Sequence, residues 1–408
     1  MMSMIFGDHD ALTIRQLHNV AEHAARVALM ADGHVGYVMP IGGVAAYRNQ
    51  VSVVGVGFDI ACGNAAIRTD LHESVLGEGE ERARILGAIA DEVQETVSFG
   101  VGRKNRADDA PIDDPLFEDA AWRAIPASHR DELRQKARVQ LGTVGSGNHY
   151  VDLLADEEGM LWVGVHFGSR GFGHTVASNF LALSQDLAWG ARAPEVEVLL
   201  DLSTPLGDAY WNLMSLAGAY AYAGREWVAR KVVAMIGAQE VELVHNHHNF
   251  AWKETHRGEE FVVVRKGATP AFPGQRGFVG GSMGDNAVIV QGAMRAPDHA
   301  DVDLREAALF STVHGAGRVM SRTAAAGKIH RKTGYVIREG AISHEMMHGW
   351  LDEVGVVLRG GGLDEAPQAY RRLPHVLAAQ RGTIDVLHTL RPLVVVMAAA
   401  KEYDPYRD

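Results

Sequence analysis

The stretch Leu161-Trp162-Val163-Gly164-Val165-His166 runs directly into Phe167-Gly168-Ser169-Arg170-Gly171. Six mostly apolar residues bounded by glycine read as a buried strand. The strand ends in a histidine and opens into a polar, glycine-rich loop. Working outward, Phe261–Val264 leads in the same way into Arg265-Lys266-Gly267-Ala268-Thr269. Ala287–Val290, Leu393–Val396 and the β-branched Val51–Val56 read as further strands. Between them lie helical periodicities. Ile14, Leu17, Ala21, Ala24 and Ala28 predict an amphipathic helix ending near Asp32-Gly33. Ile85, Ile89, Val93 and Val97 give a second helical face, and 116–138 reads as helical and charged. A long helix is expected from Pro205 to Ile236, and another over 366–390 with Val376, Leu377, Ile384 and Leu387 inward. Strands and helices mix without a regular βαβ period, so the expected class is α+β, with mixed or antiparallel sheets flanked by helices. No repeat or Pro/Ser-rich linker divides the chain, and residues 1–408 read as one compact domain. Asn105–Pro115 is polar and acidic and reads as a surface loop.

Composition narrows the function classes. Of 408 residues, 47% are apolar and 22% charged, as in ordinary globular proteins. The formal net charge is −12. Nucleic acid must therefore meet a local basic patch, and the charge argues against a general DNA-coating role. The single cysteine, Cys62, permits no internal disulfide. Met1–Asp10 lacks the pattern of a signal peptide, and no apolar run is long enough to span a bilayer, so a cytoplasmic protein is expected. Histidine is abundant, at 20 residues, which invites metal or proton-transfer chemistry.

Several clusters have chemical potential. Asp59 and Cys62 stand three apart in a glycine-flanked turn. Carboxylate is hard and thiolate soft, a pair that suits a borderline metal such as Mn, Zn or Co. The plain alternative is a buried structural cysteine beside a turn aspartate. Gly145-Ser146-Gly147-Asn148-His149, His166 and His245-Asn246-His247-His248-Asn249 add imidazoles at long-range spacing, unlike a local zinc motif. Arg265 and Lys266 offer cations and free backbone N–H groups for phosphate. Gly280-Gly281-Ser282-Met283-Gly284 allows close backbone approach to an anion, or is simply a tight turn. His314-Gly315-Ala316-Gly317-Arg318-Val319-Met320-Ser321-Arg322 places a histidine before two glycines and two arginines. A neutral imidazole can attack phosphorus. It can equally do no more than bind phosphate, and spacing does not separate the two.

Taken together and in this order, with Met30-Ala31-Asp32-Gly33-His34-Val35-Gly36 and Leu141-Gly142-Thr143 added, these clusters resemble the RtcB family of RNA-splicing ligases. The resemblance runs from about residue 25 to about residue 397. It implies a ligase that joins an RNA 2′,3′-cyclic phosphate or 3′-phosphate end to a 5′-hydroxyl end, in RNA repair or tRNA splicing. It implies GTP and two Mn²⁺ ions as cofactors, a guanylylated histidine, an RNA-(3′)pp(5′)G intermediate, and an archease-type activator among candidate partners. On this sequence Asp59, Cys62, His149, His166 and His248 match the metal ligands, with Cys62 bridging. His314 matches the nucleophile. Asn148, Asp152, Ser282, Gly315, Ala316, Gly317 and Tyr370 match the guanine-nucleotide pocket, with Tyr370 stacking on the base. Lys266 and Arg322 match phosphate contacts. The chain also departs from the family. Asp152 stands where glutamate is usual, and Met397 where the family carries a lysine that touches the nucleotide, the nearest lysine being Lys401. Phe167, Ala61, Asn64, Asp285 and Asn286 are further departures, and together they mark a divergent member. Met397 motivates a second reading, a metal-dependent phosphoesterase that opens cyclic phosphates without ligation. A non-enzymatic RNA-binding protein is the third.

Overall fold

The computed structural model describes residues 3–295, 303–329 and 335–400. Two large sheets organise them. One has five strands, running Ser3–Ile5, Arg26–His34, Ile41–Tyr47, Glu259–Lys266 and Asn249–His256 from edge to edge. The other has eight. Its main path runs Arg276–Val279, Ala287–Gly292, Ile384–Ala399, Tyr150–Ala155, Met160–Phe167, Gly63–His72 and Glu240–His247, and Val357–Gly361 joins beside Ile384–Ala399. Most neighbours are antiparallel. The parallel pairs are Ser3–Ile5 with Arg26–His34 and Val357–Gly361 with Ile384–Ala399. The mixed α+β expectation is met, and the described residues form one compact unit.

The buried helix Pro205–Met235 lies against the strands Gly63–His72 and Met160–Phe167. Thr204 caps it by accepting from Gly207 N at 3.1 Å, and Pro205 opens it. Its residues Tyr210, Leu213, Ala217 and Tyr220 join Phe117, Trp122, Phe172 and Phe180 in one core cluster. No helix among the described residues is long and apolar enough to cross a membrane.

Four sequence expectations are corrected. The first helix covers only Ala11–Ala21. Ala28 belongs to the strand Arg26–His34, because a run of small apolar residues satisfies both periods until pairing with Ile41–Tyr47 decides it. Val51–Val56 splits into a strand, Gln50–Ser52, and a short helix, Val53–Val56. Ser52 Oγ accepts from Gly55 N at 2.8 Å and turns the β-branched run into a capped helical turn. The region 116–138 is broken into two 3₁₀ turns, Pro115–Glu118 and Ala120–Ala124, before the helix Ala127–Gln140. Over 366–390 only Leu373–Ala379 forms an α-helix. Ile384 and Leu387 instead start the 16-residue strand Ile384–Ala399. Leu161–His166, Phe261–Val264, Ala287–Val290, Leu393–Val396, the helix over Ile85–Val93 and the long helix from Pro205 lie where expected. Asn105–Pro115 is loop up to its last residue, where the first 3₁₀ turn begins.

Candidate metal centre and nucleotide cleft

Strand register explains how residues almost 200 positions apart meet. Gly63 pairs with Phe167 on one side and His247 on the other, and Asn64 pairs with His166. Tyr150 also pairs with His166. Cys62, His149, His166 and His248 therefore all sit at one end of the same sheet. The turn before Gly63 is held by Cys62 N donating to Asp59 O at 3.0 Å and by Ala61 N donating to Asn249 O at 2.7 Å. Gly168 leaves room for the Asp59 carboxylate, since a Cβ there would come within 2.2 Å of Oδ1.

Cys62 Sγ lies 3.6 Å from His166 Nε2 and 3.7 Å from His149 Nε2. His149 Nε2 lies 3.1 Å from Asp59 Oδ2. Two triads follow, Cys62/His166/His248 and Asp59/Cys62/His149, and within each all donor atoms lie within 4.8 Å of one another. Cys62 belongs to both. Asn64 Oδ1 sits 2.6 Å from His166 Nδ1 and so fixes the ring with Nε2 toward the sulfur.

The donor set fits divalent cations. Burial pulls the His166 and His248 imidazoles well below the usual histidine range, so both are neutral and able to ligate. Burial alone would raise the Asp59 carboxyl, but His149 and Arg170 outweigh it and hold it at about 2. Burial and the neighbouring Asp59 carboxylate push the Cys62 thiol well above its ordinary value. A divalent cation bound at this point would favour the thiolate. His248 Nδ1 is buried without a hydrogen-bond partner among the described residues.

His314 follows the short strand Ser311–Val313, and its ring centroid is 5.0 Å from that of His248. Its Nδ1 lies 2.6 Å from Asp32 Oδ2, an ion-pair contact rather than a well-aligned hydrogen bond. The same oxygen accepts from His314 N at 2.9 Å and from Gly315 N at 3.3 Å. Burial alone would raise the Asp32 pKa, but the His314 charge and these hydrogen bonds outweigh it and hold the carboxylate ionised. Gly317, at φ 72°, packs so closely that a Cβ would stand 2.3 Å from Asp32 O.

A cleft of about 650 Å³ joins these groups. The five ligands, His314 to Gly317, Asn148, Asp152, Lys266, Ser282, Arg322 and Tyr370 all line it. Asp152 Oδ1 and Ser282 Oγ are buried without a hydrogen-bond partner among the described residues. Lys266 is buried, donates to Val54 O at 2.9 Å, and is pulled down to about 8 by desolvation. Arg322 Nε donates to Glu365 Oε1 at 2.8 Å, and the Tyr370 hydroxyl donates to Glu365 Oε2. Arg318 lies 4.9 Å from the centre of the Tyr370 ring and covers one face. Met397 lines the cleft, while Lys401 lies outside the described residues. Arg265 does not join Lys266 at the cleft. It is fully buried and bound to Glu254 at 2.6 Å and to Leu309 O at 2.9 Å.

The family model described as tRNA-splicing ligase RtcB matches residues 14–398. The chain belongs to the RtcB family. The RNA-splicing ligase RtcB of Escherichia coli (strain K12) is 31% identical over 397 residues, covering 91% of this chain and 89% of that protein. The tRNA-splicing ligases RtcB of Archaeoglobus fulgidus and Thermococcus kodakarensis are 31% and 29% identical. They cover 92% and 96% of this chain, and 90% and 93% of their own lengths.

Two groups in this RtcB-family site were missed from sequence. Asp32 stands where the sequence predicts a helix end, but it lies in the strand Arg26–His34. Arg225 was not singled out. It is fully buried, and it donates to Ala61 O at 2.9 Å, Phe167 O at 2.6 Å and His245 Nε2 at 2.9 Å, with His247 Nδ1 at 2.8 Å. The available signal was its place on the buried stripe with Ala221 and Val228 in the helix Pro205–Met235.

Proposed function

We propose that this chain, an RNA ligase of the RtcB family, joins RNA 2′,3′-cyclic phosphate or 3′-phosphate ends to 5′-hydroxyl ends, using GTP and two Mn²⁺ ions. The observation that carries the reading is His314, backed at Nδ1 by the buried Asp32 carboxylate and set beside two donor triads that share Cys62.

A proton on Nδ1, facing the Asp32 carboxylate, would leave Nε2 as the nucleophilic nitrogen. Nε2 attacks the α-phosphorus of GTP. An N–P bond forms, the P–O bond to pyrophosphate breaks, and pyrophosphate leaves. Asp32 then offsets the charge on the substituted imidazole. An oxygen of the RNA 3′-phosphate next attacks the same phosphorus and releases His314, giving RNA-(3′)pp(5′)G. The RNA 5′-hydroxyl attacks the 3′-phosphorus, loses its proton, and displaces GMP. A cyclic end must first be hydrolysed to the 3′-phosphate. Bound divalent cations would supply Lewis-acid neutralisation of the crowded phosphate charge. Asp59, Cys62, His149, His166 and His248 would hold them, and the mix of carboxylate, imidazole and thiolate suits a borderline ion.

Asn148, Asp152, Ser282, Gly315, Ala316 and Gly317 would seat the nucleotide, Tyr370 would stack on its base, and Lys266 and Arg322 would face its phosphates. A ligand thiol must stay reduced, which fits a cytoplasmic enzyme. An archease-type activator belongs to the same reading. Met397, apolar at the cleft wall, favours the second reading of cyclic-phosphate opening without ligation.

Incubation with labelled GTP and Mn²⁺ tests the proposal, with ATP as comparison. An acid-labile adduct is expected on the wild type and lost in His314→Ala. A wild type that opens cyclic phosphates but never forms the adduct would establish the second reading instead.

A further inference from the structure

The segment Phe99-Gly100-Val101-Gly102-Arg103-Lys104-Asn105-Arg106 gathers three cations into four residues of a chain with net charge −12. Arg103, Lys104 and Arg106 are exposed. The segment has no helix or strand, yet both ends are pinned. Gly100 N donates to Val144 O and Gly145 O at 3.0 and 2.9 Å. Asn105 N donates to Val139 O at 2.7 Å, and its side-chain amide donates to Leu141 O at 3.0 Å. The loop is therefore docked on the stretch that runs into Ser146–His149.

Arg170 links the loop to the metal centre. One guanidinium nitrogen lies 3.5 Å from Gly100 O and another 3.5 Å from His149 Nδ1. Two residues, Val101 and Gly102, then separate Gly100 from Arg103, a span of at most about 10 Å.

The acidic residues that follow are mostly occupied elsewhere. Asp109 pairs with Lys231 at 2.9 Å and Asp113 with Arg138 at 3.8 Å. Asp114 caps the turn Pro115–Glu118 through Leu116 N at 3.0 Å. No carboxylate among the described residues forms an ion pair with Lys104 or Arg106. These cations, with Glu95, Asp108 and the half-buried Phe99, line a groove of about 430 Å³. Cations and an aromatic ring along a groove suit single-stranded nucleic acid, which offers phosphates and stackable bases. Within the cleft, by contrast, Arg318 and Arg322 are already held by Glu365.

We propose that the segment Phe99–Arg106 binds the RNA strand next to the end being joined, with Lys104 and Arg106 on its phosphates. This rests on the RNA-ligase reading and gives the substrate a path into the site.

The test uses the full chain with the double variant Lys104→Gln/Arg106→Gln. Affinity for a single-stranded RNA with a 3′-phosphate is read by fluorescence anisotropy across a salt series. Loss of two phosphate contacts should make the salt slope shallower by about 1.4, and binding should weaken about tenfold at low salt. Formation of the His314–GMP adduct, which needs no RNA, should match wild type. A control double variant, Arg48→Gln/Arg276→Gln, removes two exposed cations that are paired elsewhere. An unchanged slope in the loop variant, or an equal change in the control, overturns the proposal. So does loss of the adduct in the loop variant, since the segment would then support the centre rather than the RNA. If the wild type makes no adduct but the slope falls as expected, the ligase reading fails while the RNA path stands.

Discussion

Replacing Asp32 with asparagine keeps the side-chain shape and removes one charge. Oδ2 of Asp32 lies 2.6 Å from His314 Nδ1 and accepts from two backbone N–H groups, those of His314 and Gly315. An amide nitrogen in that place would face three donors. The asparagine oxygen must therefore occupy it, and the imidazole keeps its tautomer. What is lost is the charge assistance as His314 becomes a cationic phosphoramidate. A hydrogen bond to a charged group contributes about 1.5–3 kcal/mol, against roughly 1 for a neutral one. The difference of about 0.5–2 kcal/mol gives an expected fall in adduct formation of roughly 2- to 30-fold, taking about 1.4 kcal/mol per decade. The displaced NH₂ takes the place of Oδ1, which is buried with no hydrogen-bond partner among the described residues, and an unsatisfied donor there costs about 1–3 kcal/mol of stability. Single-turnover labelling with GTP measures the first effect, and denaturant unfolding of the metal-free protein the second. Saturation with GTP should occur at a similar concentration, because Asp32 does not line the cleft. An Asp32→Asn variant that labels at the wild-type rate, or an adduct mapped to Nδ1, would refute the reasoning.

If two Mn²⁺ ions bind as proposed, Cys62→Ala should abolish binding of both, since the sulfur belongs to both triads, whereas His149→Ala should leave one site occupied. Metal content after dialysis, with the spin-coupled signal of a manganese pair, distinguishes them, and equal residual content in the two variants would count against a shared ligand. Lys266 has a folded-state pKa pulled down from 10.5 to about 8 by burial. Its buried charge is a destabilising term of roughly 3 kcal/mol that is fully present below pH 8 and relieved between pH 8 and 10.5. As the pH rises through 8, the metal-free protein should gain stability from this group while nucleotide affinity falls. A Lys266→Met variant should lack both trends, and a wild type whose affinity is flat through that range would remove Lys266 from the phosphate contacts.

The clustering of the candidate site residues was more legible in the sequence than the path of the backbone. The proposed ligands and nucleophile stand at strand ends or in glycine-rich loops, where residue type is constrained by what it must do. His166 was readable because LWVGVH can hardly be anything but a strand. The misread elements are those where period is ambiguous. Ala24 and Ala28 continue a helical spacing from Ile14, yet lie in a turn and a strand. Ile384 and Leu387 are three apart, as on a helix, but the β-branched residues between Thr383 and Thr389 pair with Ala287–Gly292. Asp32 escaped notice for the same reason. Placed at a helix end it looks like a cap, and placed at the end of the strand Arg26–His34 it faces His314 across a gap of 282 residues in sequence.

Arg225 exposes a different limit. A fully buried guanidinium commonly answers a carboxylate, but the groups it binds are two backbone carbonyls and two histidines. Burial lowers its pKa only to about 10, so it stays charged at neutral pH. Ala61 O belongs to the turn that carries Asp59 and Cys62, Phe167 O follows His166, and His247 precedes His248. One planar fork therefore ties together three of the strand ends whose side chains make up the two triads, and fixes their separation before any ion arrives. The charge left over points at a site that, with thiolate and carboxylate ionised, is itself negative. The metal centre thus includes a counter-charge from beneath the sheet, supplied by a helix whose sequence otherwise reads as plain core packing.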